Sequence, residues 1–223
     1  MPALRPLVPC LLALALAGSG RAAEAPEAPE AAPLAVLAAN AGVHEKARAC
    51  QQLAVVGSPA AIPALAALLD QEPLADYARS GLETIQDPAA GEALRNALPK
   101  LDGRLLAGVV NSLGVRRDTA AVPALQKLAR DPKSGVASEA LASLGMIADP
   151  EAAKTLRAVL TSGPAELRVP AAHAALAAAA QLAKAGKPAA ARELLDDIVL
   201  GLPPGLLPTV ARGHAAALPP TPK

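Results

Sequence analysis

Apolar residues recur along the chain at the spacing of amphipathic helices, and the pattern itself repeats. Four similar segments begin at Leu53, Leu82, Leu113 and Leu144, so their starts are 29, 31 and 31 residues apart, and a fifth begins 38 residues later at Leu182. In the fourth copy the stripe consists of Val136, Ala140, Leu141, Leu144 and Ile147. Self-similarity at such a period is typical of stacked helix pairs, in which each pair buries its apolar stripe against the next.

Every copy also carries a signal for a turn between two helices. Six residues after the leucine comes Pro59, Pro88, Thr119, Pro150 or Pro188. The preceding residue is Ser58, Asp87, Asp118 or Asp149 in the first four copies and Lys187 in the fifth. Ser and Asp side chains cap helix N-termini, and proline is well tolerated at the first helical position. Each copy is therefore predicted to be a helix, a turn and a second helix, with a less sharply defined start after Lys187.

Composition supports an all-helical core built from small residues. Hydrophobic residues make up 52% of the 223 positions, yet the only aromatic residue is Tyr77. Alanine and leucine are strong helix formers, and they must supply most of the buried area. We therefore predict an all-α fold, a right-handed α-solenoid of about five stacked antiparallel helix pairs over residues 39–200. Residues 201–223 are predicted to form a partial repeat or capping helix at about 206–218, followed by a tail.

The N-terminus has the features of a secretory signal peptide. Arg5 precedes an apolar run of 11 residues from Leu7 to Ala17, which is too short to span a bilayer of about 30 Å as a helix. Small residues follow, and cleavage is predicted between Ala22 and Ala23. Residues 1–22 are thus a predicted signal peptide and 23–38 an Ala/Glu/Pro-rich linker, the alternative being an N-terminal core helix. The expected location is the periplasm or the exterior of a bacterial cell, with no membrane insertion after cleavage.

Net charge limits the classes of partner that the mature chain is expected to bind, and cysteine content limits its disulfides. Removing residues 1–22 takes away two of the 21 basic residues and none of the 20 acidic ones, which leaves a balance of 19 to 20. This balance does not favour nucleic acid as a partner. Cys50 is then the single cysteine, so no internal disulfide is expected. It is interpreted as a small buried apolar residue, the alternative being a thiol whose pKa the nearby Lys46 lowers.

No constellation typical of catalysis or of cofactor binding is found in the sequence. The segment HEKAR, residues 44–48, resembles the zinc motif HExxH, but Arg48 stands where the second histidine would be. Asp196 and Asp197 are adjacent, so they point in different directions on a helix and are interpreted as part of a solvated face. We expect neither a metal site nor a cofactor, and the protein is predicted not to be an enzyme.

The most distinctive charged feature is a set of basic residues in the third copy. Candidate partner-binding residues are Arg116, Arg117, Lys127 and Arg130, with Arg104 and Lys133 in the same repeat. Stacking could gather part of this set into a basic edge for an acidic partner. The alternative is that these charges simply keep the turns of a solenoid soluble.

The segment VASEALASLGMIADPEAAKTLRAVL, residues 136–160, resembles HEAT repeats of the short bacterial type, also described as phycobilisome-lyase-like. The resemblance covers about residues 44–162, and the final copy is similar to a tetratricopeptide pair. The family pattern has an arginine where this chain has Ala137, Leu106 and Ala75. We therefore expect apolar stacking, rather than a ladder of Asp–Arg pairs, to hold the repeats together.

The repeat pattern, together with the lack of a catalytic constellation, predicts a non-enzymatic module for protein–protein interaction or scaffolding, with a concave binding face lined by the second helices. Two alternatives stay open at this stage. One is a bilin-lyase-like or other protein-modifying factor, and the other is a structural fragment of a longer repeat protein. The oligomeric state also stays open.

Overall fold

The structure is a computed structural model that describes residues 28–220, and within this range the chain forms twelve α-helices and no strand. The helices are α1 (Ala31–Ala38), α2 (Val43–Val56), α3 (Ile62–Ala66), α4 (Glu72–Thr84), α5 (Pro88–Ala97), α6 (Gly103–Val115), α7 (Val122–Arg130), α8 (Ala137–Ile147), α9 (Pro150–Ser162), α10 (Ala165–Lys184), α11 (Pro188–Gly201) and α12 (Leu206–Ala217). None of these helices is long and apolar enough to cross a membrane. Short 3-10 turns cover Pro59–Ala61, Leu98–Lys100, Thr119–Ala121 and Pro132–Ser134.

The helices stack in two rows, which confirms the predicted α-solenoid. In the even row, α2 packs on α4, α4 on α6, α6 on α8 and α8 on α10. In the odd row, α3 packs on α5, α7 on α9 and α9 on α11. Each odd-numbered helix also packs against the even-numbered helix that follows it, which belongs to the next copy. The five predicted pairs, from α2–α3 to α10–α11, are therefore joined to their neighbours and flanked by α1 and α12.

The predicted caps lie at the start of the second helices. The four side chains accept hydrogen bonds from backbone amides two or three residues on: Ser58 from Ala60 at 3.2 Å, Asp87 from Ala89 at 2.8 Å, Asp118 from Ala120 at 3.0 Å and Asp149 from Ala152 at 2.6 Å. Lys187 makes no such side-chain bond at the start of α11. These bonds satisfy amides that would otherwise lack a partner in the first turn. The turn chemistry deduced from the sequence is thus confirmed in each of these copies.

The repeat leucines form the centre of the core between the two rows. Leu53, Leu82, Leu113 and Leu144 are fully inaccessible to solvent, and Leu182 is 4% exposed. The predicted stripe of the fourth copy is buried along its whole length. Because aromatic residues are absent from this core, alanine fills the remaining space, and the helices approach one another closely.

The seven additional residues of the fifth copy lengthen a helix rather than a loop. Helix α10 has 20 residues, whereas the corresponding helices α2, α4, α6 and α8 have 14, 13, 13 and 11. Seven residues make about two helical turns. The irregular spacing in the sequence therefore reflects the longer first helix of the last pair.

The predicted linker is shorter than expected, because α1 begins at Ala31 within it. Alanine and leucine favour a helix there, and Pro33 lies in the first turn, where a missing amide hydrogen costs little. The carboxylate of Glu30 accepts hydrogen bonds from the Ser58 hydroxyl and amide, both at 2.6 Å, and these bonds lower the pKa of Glu30. This contact holds α1 against the first copy. The predicted signal peptide, residues 1–22, lies outside the described residues.

The predicted C-terminal helix is present as α12, which packs against α11 and α10. The guanidinium group of Arg192 on α11 donates hydrogen bonds to the carbonyls of Ala215 at 2.8 Å and Leu218 at 3.2 Å. These carbonyls lie at the end of α12, where backbone donors become scarce, and that of Ala215 also accepts a hydrogen bond from the amide of Leu218 at 3.3 Å. Helix α12 therefore covers the apolar side of the last pair and is fastened to it by Arg192.

We predict that Ala148→Gly stabilises the protein by about 0.5–1 kcal/mol, because Ala148 ends α8 in the left-handed conformation at φ 53°. Glycine adopts this conformation without the steric penalty of a Cβ atom. A matched control is Ala142→Gly, an exposed position inside α8, which should destabilise by about 1 kcal/mol. Urea unfolding followed by circular dichroism checks both changes. Equal effects of the two substitutions would contradict the prediction.

Candidate partner-binding surface

Arg116, one of the predicted surface cations, is engaged within the protein. Its guanidinium group donates to the carbonyls of Leu82 at 2.5 Å, Glu83 at 3.2 Å, Ile85 at 2.5 Å and Asp87 at 3.0 Å. These carbonyls lie at the end of α4 and in the turn to α5. Arg116 therefore stabilises the end of a helix in the preceding copy, and its assignment to the partner-binding edge stays a prediction.

Arg104 is likewise engaged, in a polar network between α4 and α6. It donates to the Asp76 carboxylate at 2.9 Å, and Arg79 donates to the same carboxylate at 2.7 Å. The hydrogen bonds from Arg79 and then Arg104 hold the pKa of Asp76 below its usual value. Arg79 also donates to the hydroxyl of Ser112 at 3.0 Å, and that hydroxyl donates to Glu83 at 2.6 Å. This network joins two consecutive copies.

Two further arginines reach forward to carboxylates of the next copy. Arg95 on α5 pairs with the capping residue Asp118, and Arg157 on α9 pairs with Asp197 and Glu193 on α11. Asp197 is 8% exposed, so its interpretation as part of a solvated face was wrong, while its neighbour Asp196 is exposed. Polar ties between repeats are therefore present, although at positions other than those of the family pattern.

The remaining basic residues of the third copy are accessible. Arg117, Lys127 and Lys133 are exposed, and their side chains form neither a hydrogen bond nor an ion pair with any residue from 28 to 220. Arg130 is also exposed and makes one long hydrogen bond, of 3.4 Å, to the hydroxyl of Thr155. We call Lys127, Arg130 and Lys133 the α7 cluster, because they lie in the last turn of α7 and in the 3-10 turn that follows it.

A groove lies between α3 and α5 on the odd row, with a volume of about 420 Å³. Its apolar base includes the buried residues Ile62, Leu69 and Ala97. Its polar rim consists of Asp70, Asn96 and Lys100, all exposed. We call this feature the α3–α5 groove. Volumes of this order are typical of pockets that bind a ligand group.

The groove exists because the second helix of the first copy is short. Helix α3 has five residues, and after Ala66 the chain continues as a turn to Asp70. Helix α5 is twice as long and ends in the turn Leu98–Lys100. The shorter helix leaves the side of α5 uncovered near Asn96. Two other clefts, of about 460 and 580 Å³, flank α1 and α2, and the larger one includes Pro29, close to where the description of the chain begins.

Cys50 on α2 is fully buried, as predicted. Burial raises the pKa of its thiol to about 11. The alternative, in which Lys46 lowers the pKa, is therefore wrong, because removing the sulfur from water disfavours the thiolate more than anything in the site favours it. The thiol is neutral at pH 7.

We predict that Cys50 reacts with a disulfide reagent at least about a hundredfold more slowly in the folded mature chain than in concentrated urea. The pKa difference of two, from 9.0 to about 11, reduces the thiolate by that factor at pH 8. Because folding raises the pKa of Cys50, its neutral thiol contributes fully to the stability of the folded state below pH 9. This contribution is lost as the pH rises through 11. Absorbance of the released thiolate measures the rate. Equal rates in the two states would contradict the burial of Cys50.

The histidines are well separated and exposed: His44 on α2, His173 on α10 and His214 on α12. Among residues 28–220, no group of three or more His, Cys, Asp or Glu side chains is arranged to hold a metal ion. The segment HEKAR lies in the first two turns of α2, where His44, Glu45 and Arg48 are exposed and Ala47 is buried.

Comparison with known proteins identifies the repeat. The family described as HEAT repeats matches residues 91–177, from α5 into α10. Curated proteins contain no match to this chain. The family match ends inside α10, so the tetratricopeptide-like character of the last pair stays a prediction. The match coincides with the copies in which the sequence and the stacked helices repeat most regularly, and over residues 91–177 this chain is similar to HEAT repeats.

Proposed function

We propose that this protein is an exported scaffold that binds another protein through the odd row of its solenoid. HEAT repeats suggest a module for protein interaction. The observation that carries the proposal is the exposure, on one row, of both an apolar groove and a set of unpaired cations. An apolar pocket surrounded by polar groups is a common arrangement at the centre of protein interfaces.

From α4 to α8, the even row directs several of its polar side chains to neighbouring helices. Its polar side chains Arg79, Ser112 and Arg116 are engaged with neighbouring helices. Ser143, in the same row, is fully buried and donates to the carbonyl of Val110 at 2.9 Å. These contacts hold the repeats together, whereas the polar rim of the groove and the two lysines of the α7 cluster form no such side-chain contact within residues 28–220. The odd row is therefore the surface that can accept a partner without disturbing the stack.

Export is supported by the sequence of the first 22 residues. A basic residue, an apolar run and small residues before Ala23 form the three-part pattern of a secretory signal. A stable fold without disulfides is compatible with this location, because the core rests on packing alone. In the proposed setting the mature chain meets its partner in the bacterial envelope.

Cross-linking followed by mass spectrometry in the native host tests the binding role. We expect peptides of one partner to be cross-linked to α3, α5 and α7. A control variant with the same change of charge on the even row should give the same cross-links. The proposal is contradicted if envelope fractions yield no partner while the purified protein turns over a substrate.

Fractionation of cells tests the export. We expect to find the mature protein in the envelope or the medium. Its intact mass should equal that of a chain that begins at Ala23. Deleting residues 1–22 should leave the protein in the cytosol. A full-length mass in the cytosol from the unaltered gene contradicts this part of the proposal.

A further inference from the structure

The α3–α5 groove and the α7 cluster lie on the same row of helices. We propose that together they bind one extended segment of the partner, in which a large apolar side chain lies about three residues from acidic side chains. This inference rests on the proposed function and goes further by giving the chemistry of the partner.

The groove is suited to an apolar anchor from the partner. Its base is buried and apolar at Ile62, Leu69 and Ala97, and its volume is about 420 Å³. The protein's only aromatic residue, Tyr77, lies on α4 in the even row. We assign the side chain that fills the groove to the partner, because large apolar anchors contribute most to interfaces of this kind.

The rim of the groove can hold the backbone of an extended segment. Asn96 carries both a donor and two acceptor positions on an exposed amide, which suits the alternating groups of a peptide backbone. Asp70 lies at the α3 side and Lys100 at the α5 side of the rim. The charge therefore becomes positive towards α7, and this sets the direction in which the acidic part of the segment points.

The α7 cluster is one repeat away from the groove. Lys127 lies eight residues after Thr119, and Asn96 lies eight residues after Pro88, so the two occupy equivalent positions in consecutive copies. The pair of Arg95 and Asp118 holds these copies together. Helices α5 and α7 pack less closely than the other neighbours of the odd row, so the segment must cross at least the roughly 8–10 Å between packed helices, which takes an extended chain about three residues at roughly 3.3 Å each.

The charge of the cluster selects an acidic segment. Lys127 and Lys133 have no partner within residues 28–220, and the nearby Asp131 accepts a hydrogen bond from the backbone amide of Lys133 at 2.9 Å. Cations at the end of α7 also complement the helix dipole, but this leaves the side-chain donors free for a ligand. The mature protein has nearly balanced charge, so the positive charge is local to the α7 cluster. A local positive charge favours a negatively charged segment of the partner.

A photo-cross-linking amino acid in place of Asn96 identifies the segment directly. The full-length protein is expressed in its native host, and mass spectrometry reads the attached peptide. We expect a peptide with a large apolar residue at the cross-link and Asp or Glu two to four positions away. The same probe at Ala158, the equivalent position on α9, should give few cross-links to that peptide. A basic or uncharged peptide at Asn96 overturns the inference.

A synthetic copy of the cross-linked peptide then separates the two parts of the site. Fluorescence anisotropy measures the affinity for this peptide. The triple variant K127E/R130E/K133E should bind the peptide at least tenfold more weakly, and its affinity should depend less on salt. Ala93→Phe, which fills the groove, should also weaken binding tenfold but keep the salt dependence. The control R48E/K184E/R212E makes the same charge change on exposed residues of α2, α10 and α12, and should bind normally. Circular dichroism verifies that each variant is folded.

The outcomes distinguish this inference from the proposed function. Cross-links to a partner from Ala158 but not from Asn96 overturn the inference and leave the scaffold role intact. Absence of cross-links from both positions contradicts the inference and the scaffold role together. Equal weakening by the triple variant and its charge-matched control overturns the assignment of the acidic contacts to the α7 cluster.

Discussion

Replacing Gly145 by alanine is expected to destabilise the protein by about 1–3 kcal/mol, although alanine is the better helix former. Gly145 lies inside α8 and faces α10. A Cβ atom at this position would lie 2.5 Å from the carbonyl oxygen of Ala174 and 2.9 Å from its Cα atom. Both atoms belong to the backbone of α10, so no side-chain rotation can make room. The two helices must move apart, and the packing of two consecutive repeats is disturbed.

A matched control is available in α12. Gly213 is also inside a helix, and a Cβ atom there would meet nothing within 4 Å. Gly213→Ala should therefore stabilise the protein by about 0.5–1 kcal/mol, through helix propensity alone. The two substitutions make the same chemical change and should have opposite signs.

Thermal unfolding followed by circular dichroism measures both variants. For a protein of this length, a loss of about 2 kcal/mol corresponds to a decrease in Tm of roughly 4–8 °C. A Gly145→Ala variant as stable as Gly213→Ala would show that α8 and α10 do not approach as closely as the structure has them.

The same contact explains a short repeated sequence. Ser-Leu-Gly occurs at residues 112–114 and again at 143–145. A Cβ atom on Gly114 would lie 2.8 Å from the Cα of Ser143, so this glycine makes room for the serine of the next copy. Each tripeptide thus presents a serine to the preceding helix, a leucine to the core and a glycine to the following helix.

The features that repeat along the sequence were the ones that could be predicted from it. Leucine spacing predicted the number of helix pairs, and residues such as Asp87 and Asp149 predicted where second helices begin. Both are local: the cap bonds to amides within three residues, and the leucine is buried in every copy. Helix α1 was missed because the Ala/Glu/Pro composition before Leu34 is typical of a linker, whereas its contact with Ser58 spans 28 residues.

The polar ties between repeats were less accessible to prediction. Arg95 and Arg157 occupy the same position, seven residues after Pro88 and Pro150, and both pair with a carboxylate of the next copy. This recurrence is visible in the sequence, but the family pattern has its arginine at a different position, so apolar stacking alone was predicted. The choice of partner also depends on the rotation between helices, which no local pattern determines.

For the candidate surface, too, one part could be predicted from the sequence and another part could not. The basic character of the third copy could be read from the sequence, but which cations are free could not. Arg116 and Arg117 are adjacent, yet one is engaged by four carbonyls and the other is exposed in the left-handed conformation, at φ 51°. The α3–α5 groove depends on the early end of α3, and the residues after Ala66 are as favourable for a helix as those before it. Its position follows from tertiary packing.

Arg116→Ala is the second substitution with a large expected effect, a loss of about 1.5–3 kcal/mol in the free energy of unfolding. The carbonyls of Leu82, Glu83, Ile85 and Asp87 lie at the end of α4 and just beyond it, where amides of the same helix are unavailable. Removing the guanidinium group leaves these partly buried acceptors without their charged donor. Arg116→Lys should recover only part of the loss, because an ammonium group lacks the planar fork that reaches several carbonyls at once.

Arg117→Ala is the control, since the neighbouring side chain is exposed and makes no contact of this kind within residues 28–220. Its effect should be within about 0.5 kcal/mol of zero. Urea unfolding gives the free energies, and hydrogen exchange locates the change. Because each repeat contacts only its neighbours, Arg116→Ala should accelerate exchange in α4, α5 and α6 far more than in α11 and α12. Uniform acceleration along the chain, or equal stability of the two alanine variants, would mean that Arg116 does not fasten the end of α4.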